Sequence, residues 1–367
     1  MTGSDSSDLR AVASATAPRP EAADRWFAVG TALVASSRDA GRRATAEAVR
    51  HPDAKLLVVF ASAAHDLEEL LAGIRDVAPD VPLIGCSTAG EIAVTGPSDS
   101  GVAVVALGGE GFDVATASAS CAGGRLREAG AEVAECVSRV PDRAHRALLL
   151  LTDGLAGNQA EVVRGAYSVL GAAVPLVGGC AGDDLEMKRT FQLIGSEVLN
   201  GAVVGAVIAS DAPIGIGVEH GWRKVGEPML VTSSESNRVL TLDDRPALDV
   251  YLERLAPPEA AQRDEAAFTR FAMTHPLGLN RRAGEEVRFI ASGRFEDRSI
   301  ECIAEVPQGG LAWFMEGDDA SVLEATDAAC AQALGHLDGR APLGFLAFDC
   351  IARRGVLGDE GIQSEVS

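Results

Sequence analysis

Residues 81–92 read VPLIGCSTAGEI and residues 174–185 read VPLVGGCAGDDL. Each stretch sets small residues and bare amides behind a Val-Pro-Leu lead-in and follows them with carboxylates. Glycine permits positive φ and close backbone approach, so the amides around Gly85, Cys86, Ser87 and Thr88 can hold an anion while Glu91 receives an amine. Gly178, Gly179 and Cys180, followed by Asp183 and Asp184, offer the same pair of functions. Amides for an anion beside carboxylates for a cation suit a small zwitterion such as an amino acid. The plainer account is that small residues mark close crossings of backbone, and a duplicated fold duplicates its packing too.

Other chemistries can be weighed against this one. Gly85 to Ala89 resembles a nucleophile elbow, but Gly96 and Pro97 prevent the long helix that an elbow requires. Cys86, Cys180 and Ser87 are the nucleophiles that an acyl- or thiol-directed enzyme would use if a histidine came within reach. Buried cysteine acting as a small apolar residue is the structural alternative. The six histidines, at 51, 65, 145, 220, 275 and 336, show no paired ligand spacing, and no Cys-x-x-Cys occurs, so no metal site is expected. Gly215, Gly217 and Gly221 miss the dinucleotide fingerprint by one residue, and Trp222 to Pro228 cannot open a helix; no cofactor is expected. Asp153 either lines the site or caps the helix after it, with the cap favoured, and Asp153 and Asn158 are both kept as lining candidates. His220 and Trp222 make a pocket wall, or Trp222 plugs a sheet end. In the last third, Arg288, Asp349, Cys350 and Arg353 stand out. A solvated face accounts for Arg353 and Arg354, and core packing for Cys350.

The elements that must position these residues are legible around each turn. KLLVVFAS (55–62) reads as a strand, and Leu67, Leu70, Leu71, Ile74 and Val77 recur at helical spacing before the first turn. RALLLLTDG (146–154) and the helix from 158 to 173, with Val162, Val163, Ala166, Val169 and Leu170 on one face, precede the second. Leu56 to Val81 spans 25 residues and Leu148 to Val174 spans 26. Each unit feeds a Gly-led apolar strand, at 101–108 and 201–209. The expected fold is therefore α/β: repeated strand-helix-strand units in mostly parallel or mixed sheets with packed helices, in two domains. A helix over 248–255 ends at Pro257 and Pro258, followed by an exposed helix or linker. The domain boundary falls at 241/242, giving domains of 25–241 and 242–367 behind a disordered tail of residues 1–24. A third strand-acid-helix unit is expected over 342–367. It stops before any third turn, so the C-terminal domain is read as incomplete at its end.

Composition narrows the classes. Lys plus Arg number 32 against 53 for Asp plus Glu, a formal charge of -21 without a basic run, which argues against nucleic acid and anionic membrane as partners. Seven unevenly spaced cysteines fit a reducing cytoplasm rather than a disulfide framework. The longest apolar stretches are roughly half of what spans a bilayer.

In order and spacing, GCSTAGEI, LLLTDG with Asn158, PLVGGCAGDD, Gly201 before its strand, GVEHGW and LDDRPALDVY over 48–241 resemble the N-terminal domain of the FIST family. HPLG (275–278), VPQGG (306–310), a helix from Ser321 to Leu337 and FDCIAR (348–353) resemble its C-terminal domain. The resemblance implies a prokaryotic, cytoplasmic sensory protein without catalysis that binds a small polar ligand such as an amino acid. With no output domain in the chain, the signal would pass to a separate protein such as a kinase or cyclase. The competing reading is the Cys- or Ser-dependent enzyme, and a third is a scaffold whose turns are filled by neighbouring side chains.

Overall fold

The computed structural model describes residues 25–93, 96–281 and 284–366; the tail assigned to residues 1–24 lies outside them. The first unit runs β1 (Trp26–Ala32), α1 (Ser37–Ala48), β2 (Ala54–Ser62), α2 (Leu67–Val77), β3 (Leu83–Thr88), a hairpin of β4 (Glu91–Ala93) and β5 (Gly96–Ser98), and β6 (Val102–Gly108). The second runs β7 (Phe112–Ser120), α3 (Leu126–Ala134), β8 (His145–Asp153), α4 (Gln159–Leu170), β9 (Leu176–Ala181), a hairpin of β10 (Gln192–Ile194) and β11 (Glu197–Leu199), and β12 (Ala202–Ser210). The first sheet is ordered β1-β6-β2-β3 and the second β7-β12-β8-β9, so equivalent strands hold equivalent places. The duplication thus reaches one strand and one helix further upstream than the turns indicate.

The crossings are the parallel part: β2 pairs β3 and β8 pairs β9 in parallel, while the other pairs of both sheets are antiparallel. The sheets are accordingly mixed, because the apolar strands at 102–108 and 202–210 return between the others instead of continuing the crossover. The two inner faces meet through Leu56, Val58, Ile84, Leu149, Leu151 and Val204, and the helices cover the outer faces. Helix α2 shows why: Asp66 accepts the amide of Glu69 at its start, and Leu67, Leu70, Leu71 and Ile74 form one buried stripe. Each such side chain contributes about 1.5–3 kcal/mol on leaving water. The helices approach closely through glycine. A Cβ at Gly41 would strike the Leu70 carbonyl and one at Gly73 that of Arg38; Gly130 and Gly165 make the same exchange with Val162 and Arg127 between α3 and α4.

The hairpins break the symmetry. β10 adds antiparallel to β3, so the second unit completes the first unit's sheet. β4 and β5 pair with each other.

The remainder comprises β13 (Arg223–Glu235), β14 (Arg238–Leu242), β15 (Arg245–Pro246), α5 (Ala247–Leu255), α6 (Glu265–Met273), β16 (Leu277–Arg281), β17 (Gly284–Arg288), β18 (Ile290–Arg294), β19 (Ser299–Cys302), β20 (Leu311–Glu316), α7 (Asp319–Gly335) and α8 (Ile351–Glu365). Its eight-stranded sheet already includes β13, which pairs with β20, and β14, which pairs with β19. The chain therefore changes sheet between Ser210 and Arg223, well before the sequence boundary at 241/242, because these strands find their partners later in the chain. The stretch at 259–265, expected as linker or exposed helix, holds a short helical turn over Glu259–Gln262 and leads into α6, whose Phe268 is fully buried against Tyr251. Residues 342–350 form no strand, unlike the expected third unit. They run as an extended strap along the first two sheets, with Phe348 edge-on to Phe60 at 5.8 Å between ring centroids and Gly344 against Phe27.

Candidate functional site

The paired turns meet. An ideal Cβ at Gly182 would lie 2.8 Å from the Ala89 amide, and Ser87 is bonded to Gly182 twice: its carbonyl accepts the Gly182 amide at 2.9 Å and its hydroxyl donates to the Gly182 carbonyl at 2.8 Å. Close crossing is thus the physical reason for the small residues at this contact. Ser87 is fully buried and also accepts the Phe191 amide through Oγ.

The carboxylates divide into engaged and free. Glu91 is buried and accepts Thr88 Oγ1 at 2.5 Å, the Gly101 amide at 2.8 Å and Ser98 Oγ at 3.1 Å; burial raises its carboxyl despite these bonds. Asp153 accepts Thr190 Oγ1 and the amides of Leu155 and Gly201, tying the end of β8 to the start of β12. The N-cap of α4 is Asn158, not Asp153, because Asn158 is the residue that sits beside the first helical turn. Its Oδ1 accepts the amides of Ala160 and Glu305, and its Nδ2 donates to Ser236 Oγ, so it also stitches the second unit to the third sheet. Asp183 accepts the amides of Met187, Lys188 and Arg189 and closes its own loop. Asp184, one residue on, is exposed and held at positive φ; desolvation and then the charges of Asp99, Asp183 and Glu186 push its carboxyl up.

The thiols divide in the same way. Cys86 sits between the sheets, and burial pushes its thiol up to about 12. Cys180 and Cys350 are not core residues: both are exposed. Desolvation nevertheless raises both thiols, and the charge of Cys180 contributes to the rise at Cys350. The two cysteines lie near each other where the second turn meets the strap. Gly179 faces the strap here, with Phe348 3.4 Å from where a Cβ would stand. Cys350 is also the N-cap residue of α8, where its carbonyl accepts the Arg353 amide at 2.8 Å and its thiol lies beside the Ala352 amide. Gly178 is partly exposed at φ 141, and a Cβ there would strike the Leu150 carbonyl. Gly85, its counterpart, is buried.

Arg353 is buried rather than solvated. It pairs with Asp349 at 2.5 Å and with Glu365, and it donates to Thr326 and to the Val322 carbonyl, which fixes α8 against α7. Arg354 reaches the first unit, bonding Asp99 at 2.5 Å and lying 3.1 Å from a Cβ built at Gly90. Arg288 is held by the carbonyls of Glu305 and Val287 and by Glu286. Trp222 is buried with Met315 and Ala352, its amide donated to His220 Nδ1, so the pair plugs the junction with α8. Two shallow depressions elsewhere, one around His65 and Ser100 and one around His275, Glu316 and Gly355, contain none of the turn residues.

No histidine is hydrogen-bonded to Cys86, Cys180 or Ser87 among the described residues; Cys180 accepts only Thr152 Oγ1, at 3.3 Å. No cluster of three metal-ligating side chains occurs among them either, and no helix is long and apolar enough to cross a membrane. The difference in exposure gives a direct expectation for thiol chemistry. Cys180 and Cys350 should react with a soluble disulfide reagent in the native protein, whereas Cys86 and Cys302, whose thiols burial lifts to about 12, should react only after unfolding. Peptide mass spectrometry after native labelling checks this assignment.

Comparison with known proteins agrees with the layout. Over 153 residues the chain is 26% identical to an uncharacterized protein of Methanocaldococcus jannaschii, covering 40% of this chain and 30% of that protein's length. The family model of the FIST N domain matches residues 55–245, and that of the FIST C domain matches residues 247–367. With both models matched in order along nearly all of the described chain, this protein belongs to the FIST family of signal-transduction sensory domains.

Proposed function

We propose that the protein senses a small polar ligand, an amino acid or similar zwitterion, at the junction of the second turn and the start of α8, and that it does so in the cytoplasm without catalysis. One contrast carries the reading. Glu91, Asp153 and Asp183 have spent their oxygens inside the protein, while Asp184, Cys180 and Cys350 remain exposed to solvent. Asp184, crowded by three other acids, is the position for an ammonium group. The N-terminal end of α8, where the helix dipole is positive, is the position for a carboxylate. Arg354 and Arg353 tie α8 to the first unit and to α7, so a ligand that draws α8 toward the second turn favours one arrangement of the halves over another. That change would be read by a separate protein such as a kinase or cyclase.

Thermal-shift measurement against the common amino acids tests it. A ligand at a hundred times its Kd should stabilise the fold by about 2.7 kcal/mol, a rise of a few degrees for a chain of this size. The rise should vanish in Asp184→Asn, whose parent carboxylate accepts no hydrogen bond among the described residues. The reading fails if no amino acid moves the melting temperature, or if D184N responds as the parent does.

A further inference from the structure

We propose that the free edge of β9 takes up an extended peptide segment of a partner protein, added antiparallel to Leu176–Cys180 in the place that β10 occupies on β3. The inference does not rest on the ligand reading. It comes from the asymmetry of two units that are otherwise alike.

The correspondence is fixed by register. Leu83 lies beside Leu57 and Leu176 beside Leu148, so Ile84, Gly85, Cys86 and Ser87 correspond to Val177, Gly178, Gly179 and Cys180. On β3 the outer edge is closed: Cys86, Gly85 and Ile84 face Gln192, Leu193 and Ile194, the Ser87 amide donates to the Phe191 carbonyl and the Gly195 amide to the Leu83 carbonyl. Leu193 packs over Gly85, 3.2 Å from a Cβ built there. β9 pairs with β8 alone among the described residues, which leaves the outward main-chain groups of Leu176, Gly178 and Cys180 without a strand. The exposure differs accordingly, since β3 is buried from Leu83 to Ser87 while β9 is half-exposed from Leu176 to Gly179 and exposed at Cys180. The hairpin that duplication would send to this edge, β4–β5, is instead docked on α8, with Gly96 against Gln363 and Asp99 bonded to Arg354.

An unpaired edge is a template for strand addition, with main-chain bonds supplying affinity and alternate side chains supplying selectivity. Gly178 and Gly179 present no side chains to obstruct an incoming strand, and Phe348 walls one face. The residue opposite Gly178 would be apolar, as Leu193 is opposite Gly85. An antiparallel strand would bring its N-terminal end to the acidic end of β9, beside Asp183, Asp184 and Glu186, where a basic residue is favoured. The chain's own Arg189–Gly195, RTFQLIG, has that pattern and serves as a probe.

Hydrogen exchange of the full chain is measured with and without a synthetic RTFQLIG peptide. At ten times its Kd the peptide should slow exchange of the Gly178 and Cys180 amides about tenfold. N-methylation at the probe's leucine, whose amide would face β9, should abolish this, while N-methylation at its glutamine, which faces away, should not. No protection at millimolar peptide overturns the proposal, as does protection confined to the other edge strands β7, β11 or β17. Protection that grows with protein concentration in the absence of peptide also overturns it, since a second copy of the chain would then be the occupant.

Discussion

Arg353→Met should destabilise the protein by about 3–5 kcal/mol at neutral pH, because it leaves the buried Glu365 and the half-buried Asp349 carboxylates without their cation. The Arg353 side chain is 10% exposed, that of Asp349 is 18% and that of Glu365 is 7%, so solvent replaces little of the lost charge at Glu365 and only part of it at Asp349. Methionine keeps most of the stem volume, which separates the electrostatic loss from a packing loss. A companion substitution reports on the same network through pH. Asp349 is held up at about 6 against an ordinary 3.8, chiefly by burial and then by Glu365, with Arg353 pulling the other way. The folded protein therefore binds this proton more tightly than the unfolded chain does. The resulting stabilisation is complete below pH 3.8 and is lost as pH rises through 6, by about 3 kcal/mol in all. Asp349→Asn should remove that slope, so that its urea midpoint gains on the parent's between pH 4 and pH 8. Parallel pH profiles for the two proteins, or a cost below 1 kcal/mol for R353M, would show that the network does not hold α8 as described.

Gly178→Val is expected to be at least as damaging. At φ 141 the backbone is outside the range of L side chains, and a Cβ would meet the Leu150 carbonyl on the neighbouring strand. Positive-φ strain of about 1–3 kcal/mol adds to a backbone collision that no rotamer relieves, for a total of roughly 4 kcal/mol or loss of soluble protein. Gly171→Val supplies the control: it too has positive φ, at 61, but a Cβ there meets nothing within 4 Å, so strain alone should appear. Chemical denaturation of the pair therefore separates the two costs. If both variants lose the same amount, the tight approach of β9 to β8 is not what the glycine serves.

The parts of the fold that could be read from sequence are those where large side chains mark a face. The stripe of α2 and the apolar runs of β2, β6, β8 and β12 all lie where their periodicity put them, and the repeated Val-Pro-Leu lead-ins mark equivalent parallel crossings. The upstream strand and helix of each unit escaped notice because α1, SRDAGRRATAEA, buries Ala40, Ala44 and Ala48 with no large residue among them. Its signal was subtler: Gly41 and Gly73 in the first helix pair recur as Gly130 and Gly165 in the second, each placed where helix backbones touch. The candidate site was legible as a location but not in its division of labour. Nothing local distinguishes Asp183, which closes its own loop, from Asp184, which stays free. Cys180 and Cys350 are 170 residues apart in sequence, and only the strap brings them near each other. The partners of Asn158, at Ser236 and Glu305, are equally non-local. Arg353 read as solvated because the acid that buries its charge, Glu365, lies twelve positions downstream on the same helix.

The loan of β10 and β11 to the first sheet has a consequence for how the protein is made. When Gly108 leaves the ribosome, the first unit has all its own strands, but the edge of β3 is bare, and it remains so until residues 192–199 are synthesised. At cellular translation rates that interval is on the order of ten seconds. The nascent half must survive it with a buried-type apolar strand unprotected, which makes this interval the natural point for chaperone capture. It also means that a fragment ending near residue 110 would expose a sticky edge and aggregate, whereas one ending after β12 would carry its own cover.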